Sequence, residues 1–423
     1  MKKIIYISLF LFVLSGQAIA QESTLMSFMR QSPQSLRTNP ANLSDSVRWY
    51  MGMPLLLSPF KLDLDLGVRY SDVISRRADN SLVVNPDIVD ALSSARMLMG
   101  FNYELFSFGV RFQQRHMVTF SLSAVGDVSF LFPSDLATLL VKGNTAGKQL
   151  SIETEVNASA YMETALGYTF AINKDWKVGA RTKLLSGAAN AYGKNLYATM
   201  DTDPVDYKML LNTNALVKTS YVDNPGDIFN NAGFAFDAGA YYQTPIKELN
   251  VGLSFVDWGW INWNSNLQFY EAKTQGDGFE FAGLSDTDTD LSEIADTLKN
   301  VFKFSEMPGK SYRTTLPGKV FVSATYDFSP NEKLGFLFST RALDSFSRTT
   351  FTLMYNRSVG DWLVVAAGNN FMTTKLFNPS IALNFKAKAF QFYIAAENIS
   401  SFEAINSRTL NVQLGMNFAF FDR

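Results

Sequence analysis

The 423-residue chain contains no cysteine and a single histidine, His116. Without cysteine there are no disulfides, no thiolate metal sites and no lipid-anchored N-terminus, so packing and strand hydrogen bonds must hold the fold. One histidine at an expected turn leaves a Ser-His or Asp-His hydrolase without its base. No phosphate loop or dinucleotide fingerprint is present either. The chain is therefore expected not to be an enzyme and to hold no cofactor or metal. Beyond Ala20 no run approaches about 18 consecutive apolar residues, which excludes a membrane helix. A formal charge of −2 gives no basis for a nucleic-acid partner.

What is present begins with Met1, Lys2 and Lys3, an apolar run over residues 4–14, and Ala18-Ile19-Ala20 before Gln21. A basic start, a short apolar core and a small-residue site describe a secretory signal peptide over 1–20, cleaved near Ala20. The run is shorter than the roughly 20 residues that span a bilayer. The chain as a whole is 47% hydrophobic and 14% aromatic, with 36 Phe, yet its mean hydropathy is −0.00. Apolar and polar residues are therefore interleaved, as a barrel wall requires when one strand face meets lipid and the other a polar lumen.

The interleaving has period two along the whole chain. Val412, Leu414, Met416, Phe418 and Phe420 alternate with Asn411, Gln413, Gly415, Asn417 and Ala419. Similar alternation occurs at 62–70, 106–112, 118–122, 156–170, 178–184, 334–341, 350–356, 381–386 and 390–397. The short links fall at 113–115, 173–175, 245–248, 330–332, 359–361 and 386–388. Long links at 71–99, 131–149, 191–231, 275–309, 371–377 and 398–408, with a shorter one near Asp344, lie at the other end. Short turns on the periplasmic side and long loops outside fit a bacterial outer-membrane barrel. The pattern predicts an all-β, transmembrane antiparallel β-barrel of 14 strands, the first at 62–70. This count takes 251–269 as one bent strand and 191–231 as an outer excursion; splitting either gives 16. Residues 21–57 form a separate N-terminal segment and 58–423 the barrel. Two loops carry helical spacing, 86–99 and the stripe Leu291, Ile294, Ala295, Leu298 and Phe302, suited to a lid or to shielding the rim.

Inward positions carry both charge signs: Asp63, Asp65, Arg69, Arg111, Asp127, Glu155, Glu163, Lys177, Arg181, Lys183, Arg341, Lys386 and Glu397. In a confined lumen such charges pair, which predicts a filled or narrow barrel; a solvated charged pore wall is the alternative. Trp258, Trp260 and Trp263 suit an interfacial girdle. Asp257 and Gly259 among them point to a bulge, either an ordinary bend or a lateral opening. The acidic run Asp286, Asp288 and Asp290 has calcium-type oxygens but lacks the glycine and glutamate of a full loop, so helix capping fits it better.

Ahead of the first expected strand stands Asn39-Pro40-Ala41. This triplet, with the Val256–Trp263 stretch, resembles the outer-membrane long-chain fatty-acid transporter superfamily, and within it an uncharacterised family related to type IX secretion-associated barrels. The resemblance implies a 14-stranded barrel with an N-terminal hatch or plug in its lumen. Pro40 fixes its own φ and biases Asn39 away from helix, so the triplet makes a turn. No extended apolar tract in 21–57 offers a fatty-acid groove. The expected function is passage of a small hydrophobic molecule across the bacterial outer membrane; the alternative is a non-transporting secretion-machinery or surface-attachment barrel. Expected partners are accordingly outer-membrane lipid and either such a ligand or secretion proteins.

Overall fold

The computed structural model describes residues 25–52, 58–65, 67, 74–76, 82–84, 96–135, 138–139, 145–205, 209–274, 279–281, 305–371, 377–397 and 409–421. The wall has 14 antiparallel strands. β1 comes in two pieces, Val47–Gly52 and Phe60–Asp65. There follow β2 (Arg96–Phe112), β3 (His116–Leu131), β4 (Gln149–Ala171), β5 (Trp176–Thr202), β6 (Ala232–Gln243) and β7 (Leu249–Trp263). β8 is also split, Tyr312–Thr315 and Lys319–Ser329, before β9 (Glu332–Ala342), β10 (Ser347–Val359), β11 (Leu363–Phe371), β12 (Pro379–Ala387), β13 (Phe390–Glu397) and β14 (Thr409–Phe421). Both pieces of β1 pair with β2 on one side and β14 on the other, which closes the sheet and removes its edges.

Alternation sets the two faces. On β2, Phe108, Val110 and Phe112 are exposed while Ser107, Gly109 and Arg111 are buried. On β5, Val178 and Leu184 are exposed while Lys177, Arg181 and Lys183 are buried. Large apolar side chains outside and charges inside invert the pattern of a water-soluble domain; lipid is the solvent that stabilises such a wall.

The ends differ as the link lengths predict. Gln113 and Gln114 both have positive φ, 51° and 57°, the primed-turn geometry that matches strand twist in tight hairpins. At the opposite end β4 and β5, 23 and 27 residues long, run well past the roughly 9–11 that cross a bilayer. They continue into a projecting sheet with Met209–Tyr221, Gln268–Lys273 and Ser305–Pro308, which buries Leu150, Ile152, Ala198, Met200 and Leu211.

Several expected boundaries move. The wall starts at Val47, so part of the segment expected to stay apart through residue 57 is wall. The reason is a register irregularity between Val47 and Trp49, which breaks period two where the sequence was to be read. The expected strand at 62–70 overlaps the second piece of β1, and Arg69 lies outside the described residues. The segment 251–269 is not one strand: β7 ends at Trp263, and Gln268–Lys273 pairs with Met209–Tyr221. The excursion at 191–231 is largely extended, β5 continuing to Thr202. Of the expected helix at 86–99, residues 96–99 are strand and 86–95 lie outside the described residues. The helical stripe from Leu291 to Phe302 and the acidic run at 286–290 also lie outside them.

Candidate functional site

Residues 25–46 pack against the buried face of the wall. Two single-turn 3-10 helices, Leu25–Phe28 and Pro33–Arg37, place Leu25, Met26, Phe28 and Met29 against Phe321, Leu337, Met354, Ala382 and Tyr393. This half is apolar. The Phe28 ring lies where a Cβ on Gly335 would come within 2.3 Å, so β9 approaches it through bare backbone. The other half is polar. Arg37 pairs with Glu104 at 2.6 Å, Gln34 and Asn417 exchange amide hydrogen bonds, and Gln391 donates to the Gln31 carbonyl at 3.1 Å. Glu397, expected among the lumen charges, accepts the Leu25 N–H at 2.9 Å. Arg111 donates to the carbonyls of Val47 and Ser44, and both Arg111 and Lys177 pair with Asp45.

The Asn39-Pro40-Ala41 turn is the best-fitted part. The Asn39 carboxamide oxygen accepts the Ala41 N–H at 2.8 Å, and its Nδ2 donates to the Ala240 carbonyl at 3.0 Å. Thr169 donates to the Pro40 carbonyl at 2.6 Å, and Ser254 donates to the Thr38 carbonyl. Two wall glycines make room. A Cβ on Gly239 would fall 2.2 Å from Asn39 Oδ1, and one on Gly179 would fall 2.5 Å from the Pro40 carbonyl. Sequence reading identified the turn but not these glycines, whose signal is only their inward parity on β5 and β6.

Beside this turn lies a cluster of six charges. Arg181 reaches Asp237 at 3.4 Å and Glu163 at 3.7 Å; Lys183 reaches Asp237 at 2.9 Å, Glu163 at 3.5 Å and also Asp257; Lys319 reaches Asp257 at 2.7 Å. Three cations and three carboxylates, nearly all buried, compensate one another. Of these, Asp237 and Lys319 were not anticipated. Asp237 shares inward parity with Ala235 on β6 and stands opposite Arg181 in register, a legible signal; Lys319 opens a strand piece, where no alternation precedes it. Elsewhere Arg341 pairs with Asp127, Arg96 with Glu155, Lys61 with Asp63 at 2.6 Å and Arg348 with Asp65 at 2.8 Å. Lys386 stays apart at the short-turn end, its ammonium 4.5 Å from the Phe421 ring centre.

Asp257 owes its place to a bulge. It has φ of 60°, the β6–β7 register shifts between Phe236 and Ala238, and both Val256 and Asp257 turn inward. The ladder on the other side of β7 is interrupted at the same level: Val256 pairs with Lys319 and Trp260 with Thr315, leaving residues 257–259 opposite 316–318. The Leu316 N–H donates across this gap to the Gly259 carbonyl at 2.9 Å. Trp258 and Trp260 face outward, as a girdle requires. Trp263 does not: it is fully buried, shares the inward parity of Ile261, and donates its indole N–H to Thr314 at 2.8 Å.

Two adjoining cavities of the lumen, among the described residues, bear on this site. One of about 90 Å³ adjoins Arg37, Thr38, Asp63, Glu163, Lys183 and Asp257. The other, about 260 Å³, lies toward the long-loop end and meets the first at Asp127, Tyr161 and Pro317. No group of carboxylates and histidine able to hold a metal occurs among the described residues.

Comparison with known proteins places these observations. A search of the curated proteins finds no match. Among solved structures, a Pseudomonas aeruginosa FadL homologue is 11% identical, covering 95% of this chain and 97% of that one, with a TM-score of 0.48. The Ralstonia pickettii toluene transporter TbuX is 10% identical, covering 93% and 94%, with a TM-score of 0.36. The Pseudomonas putida toluene transporter TodX is 8% identical, covering 91% and 92%, with a TM-score of 0.41. A family profile matches residues 40–397, from the second residue of the Asn39-Pro40-Ala41 turn to the end of β13, and the chain belongs to the Family of unknown function (DUF5723).

Proposed function

We propose that the protein is an outer-membrane transport barrel that passes a small, largely hydrophobic molecule, with residues 25–46 acting as a hatch. The observation that carries this reading is the 260 Å³ cavity beside the interrupted ladder. Ile261, Leu316 and Pro317 line it, and Leu316 and Pro317 belong to the gap opposite the Asp257 bulge. A molecule held there lies next to the stretch where the regular β7–β8 ladder is interrupted and the Leu316–Gly259 hydrogen bond bridges the gap, so its exit runs sideways toward lipid once that bond yields. The hatch blocks the straight path to the short-turn end. Mature-chain export with cleavage near Ala20 belongs to the same proposal.

Uptake of an uncharged hydrophobic fluorophore by cells tests it. Cells making the protein should load N-phenylnaphthylamine several-fold faster than cells making an Ile261→Trp variant, which fills the cavity. Equal rates for both, with the two proteins equally abundant in the outer membrane, would overturn it. A second reading is a barrel that transports nothing and serves secretion or attachment; the many bonds that fix residues 25–46 favour it. Under that reading the fluorophore rates are equal and a protein partner co-purifies in detergent.

A further inference from the structure

The outer mouth of the lumen is crossed by the link between β9 and β10, residues 343–346. These strands are ninth and tenth in the wall, whereas the residues that hold the link sit on β2, β4 and β5. Bonds between strands so far apart in order must span the lumen. Asn157 donates to Asp344 Oδ2 at 2.8 Å, and Lys194 donates to the Asp344 carbonyl at 3.3 Å. Arg96 donates to Ser345 Oγ at 3.1 Å and pairs with Glu155, which in turn accepts from Ser345. The Arg96 guanidinium also stacks over Phe346, 4.0 Å from its centre. Apart from the Phe346 ring these groups are polar and at the rim, and none of the bonds belongs to the strand ladder, so the set can release without disturbing the wall.

Beneath the link lies the 260 Å³ cavity, roofed by Leu343 and Asp344. Its lining is chemically mixed, with the polar side chains of Ser159, Tyr161 and Thr314 among the apolar Ile261 and Leu316, Thr314 standing beside Ile261 in register. Its carboxylates are engaged: Asp127 by Arg341, Asp344 by Asn157. A charged ligand would leave water; an anion meets no cation in the lining, and a cation meets, besides the paired Asp127, only Asp344, which is exposed at the roof rather than inside the chamber, so burying either charge deeper is costly. An uncharged molecule that carries both a hydrogen-bonding group and apolar surface meets both kinds of lining side chain.

We infer that residues 343–346 are an outer gate, closed in this structure, over a chamber selective for uncharged amphipathic molecules. The ligand class rests on the transport reading above; the gate does not. The absence of cysteine makes a direct test available. Single-cysteine variants Ser159→Cys, below the gate, and Val205→Cys, 84% exposed beyond it, are treated in intact cells with methanethiosulfonates that are uncharged, anionic or cationic. With the gate intact, Ser159→Cys should react at least about tenfold more slowly than Val205→Cys. Adding Arg96→Ala, or Ser345→Ala where the first variant loses heat-modifiable mobility, should raise the rate at 159 about tenfold and leave 205 unchanged. In that opened background the uncharged reagent should outpace both charged ones at 159 and not at 205. Equal rates at 159 and 205 with the gate intact, or no change on opening, overturn the gate. Charged reagents as fast as the uncharged one at 159 overturn the ligand class. Because labelling needs no transport, failure of fluorophore uptake alone leaves the gate standing and counts against the transport reading.

Discussion

Asn39 and Pro40 sit against wall positions that carry no side chain, and this fit fixes what substitutions must do. Gly179→Ala places a methyl group 2.5 Å from the Pro40 carbonyl, a backbone atom that cannot rotate away. Overpacking of this kind costs about 1–3 kcal/mol, so the variant should unfold at lower denaturant and residues 25–46 should become protease-sensitive while the wall persists. Asp257→Ala leaves Lys183 and Lys319 without the carboxylate they share, and removing one partner of a buried pair costs about 3–5 kcal/mol. The same denaturant titration should show Asp257→Asn falling between that variant and the wild type. The inward charges were legible from parity, since Arg181, Lys183 and Glu163 sit where alternation points into the lumen. Their partners were less so. Arg37 lies on a 3-10 turn, which has no period-two signal, and Trp263 was read by its aromatic type when its parity with Ile261 was the better guide.

Stretches of unbroken alternation, β14 and residues 176–187 of β5 among them, could be read directly because each side chain has one of only two directions. Bulges defeat that reading. The irregularity at Val47 and Trp49 hid the first piece of β1, and the one at Asp257 made 251–269 look like a single bent strand. Tight turns add a local test. Lys388 has φ of 56° in the β12–β13 link, a conformation that glycine adopts without the Cβ clash. Lys388→Gly should raise stability by about 0.5–1 kcal/mol, measured as a later denaturation midpoint, and a loss of stability would show that the Lys388 side chain contributes more than its backbone conformation costs.

At the scale of the whole molecule, the proposed closed barrel rests on an apolar outer face, paired charges inside and residues 25–46 packed against the buried face of the wall. The outward face was legible in composition and alternation together, because abundant Phe interleaved with polar residues suits a wall with one face toward lipid. The occlusion was not, since it depends on contacts between residues hundreds of positions apart, such as Leu25 with Glu397. Heat-modifiable mobility with unheated samples migrating faster should report the intact wall. The most direct test of occlusion is conductance in planar bilayers, comparing the wild type with a variant that lacks residues 25–46 and carries Arg96→Ala. The wild type should be nearly silent, and the folded double variant should open steps at least about tenfold larger, since a 14-strand ring stripped of both closures leaves an aqueous path. Porin-sized steps from the wild type, or silence from the folded double variant, would contradict the account.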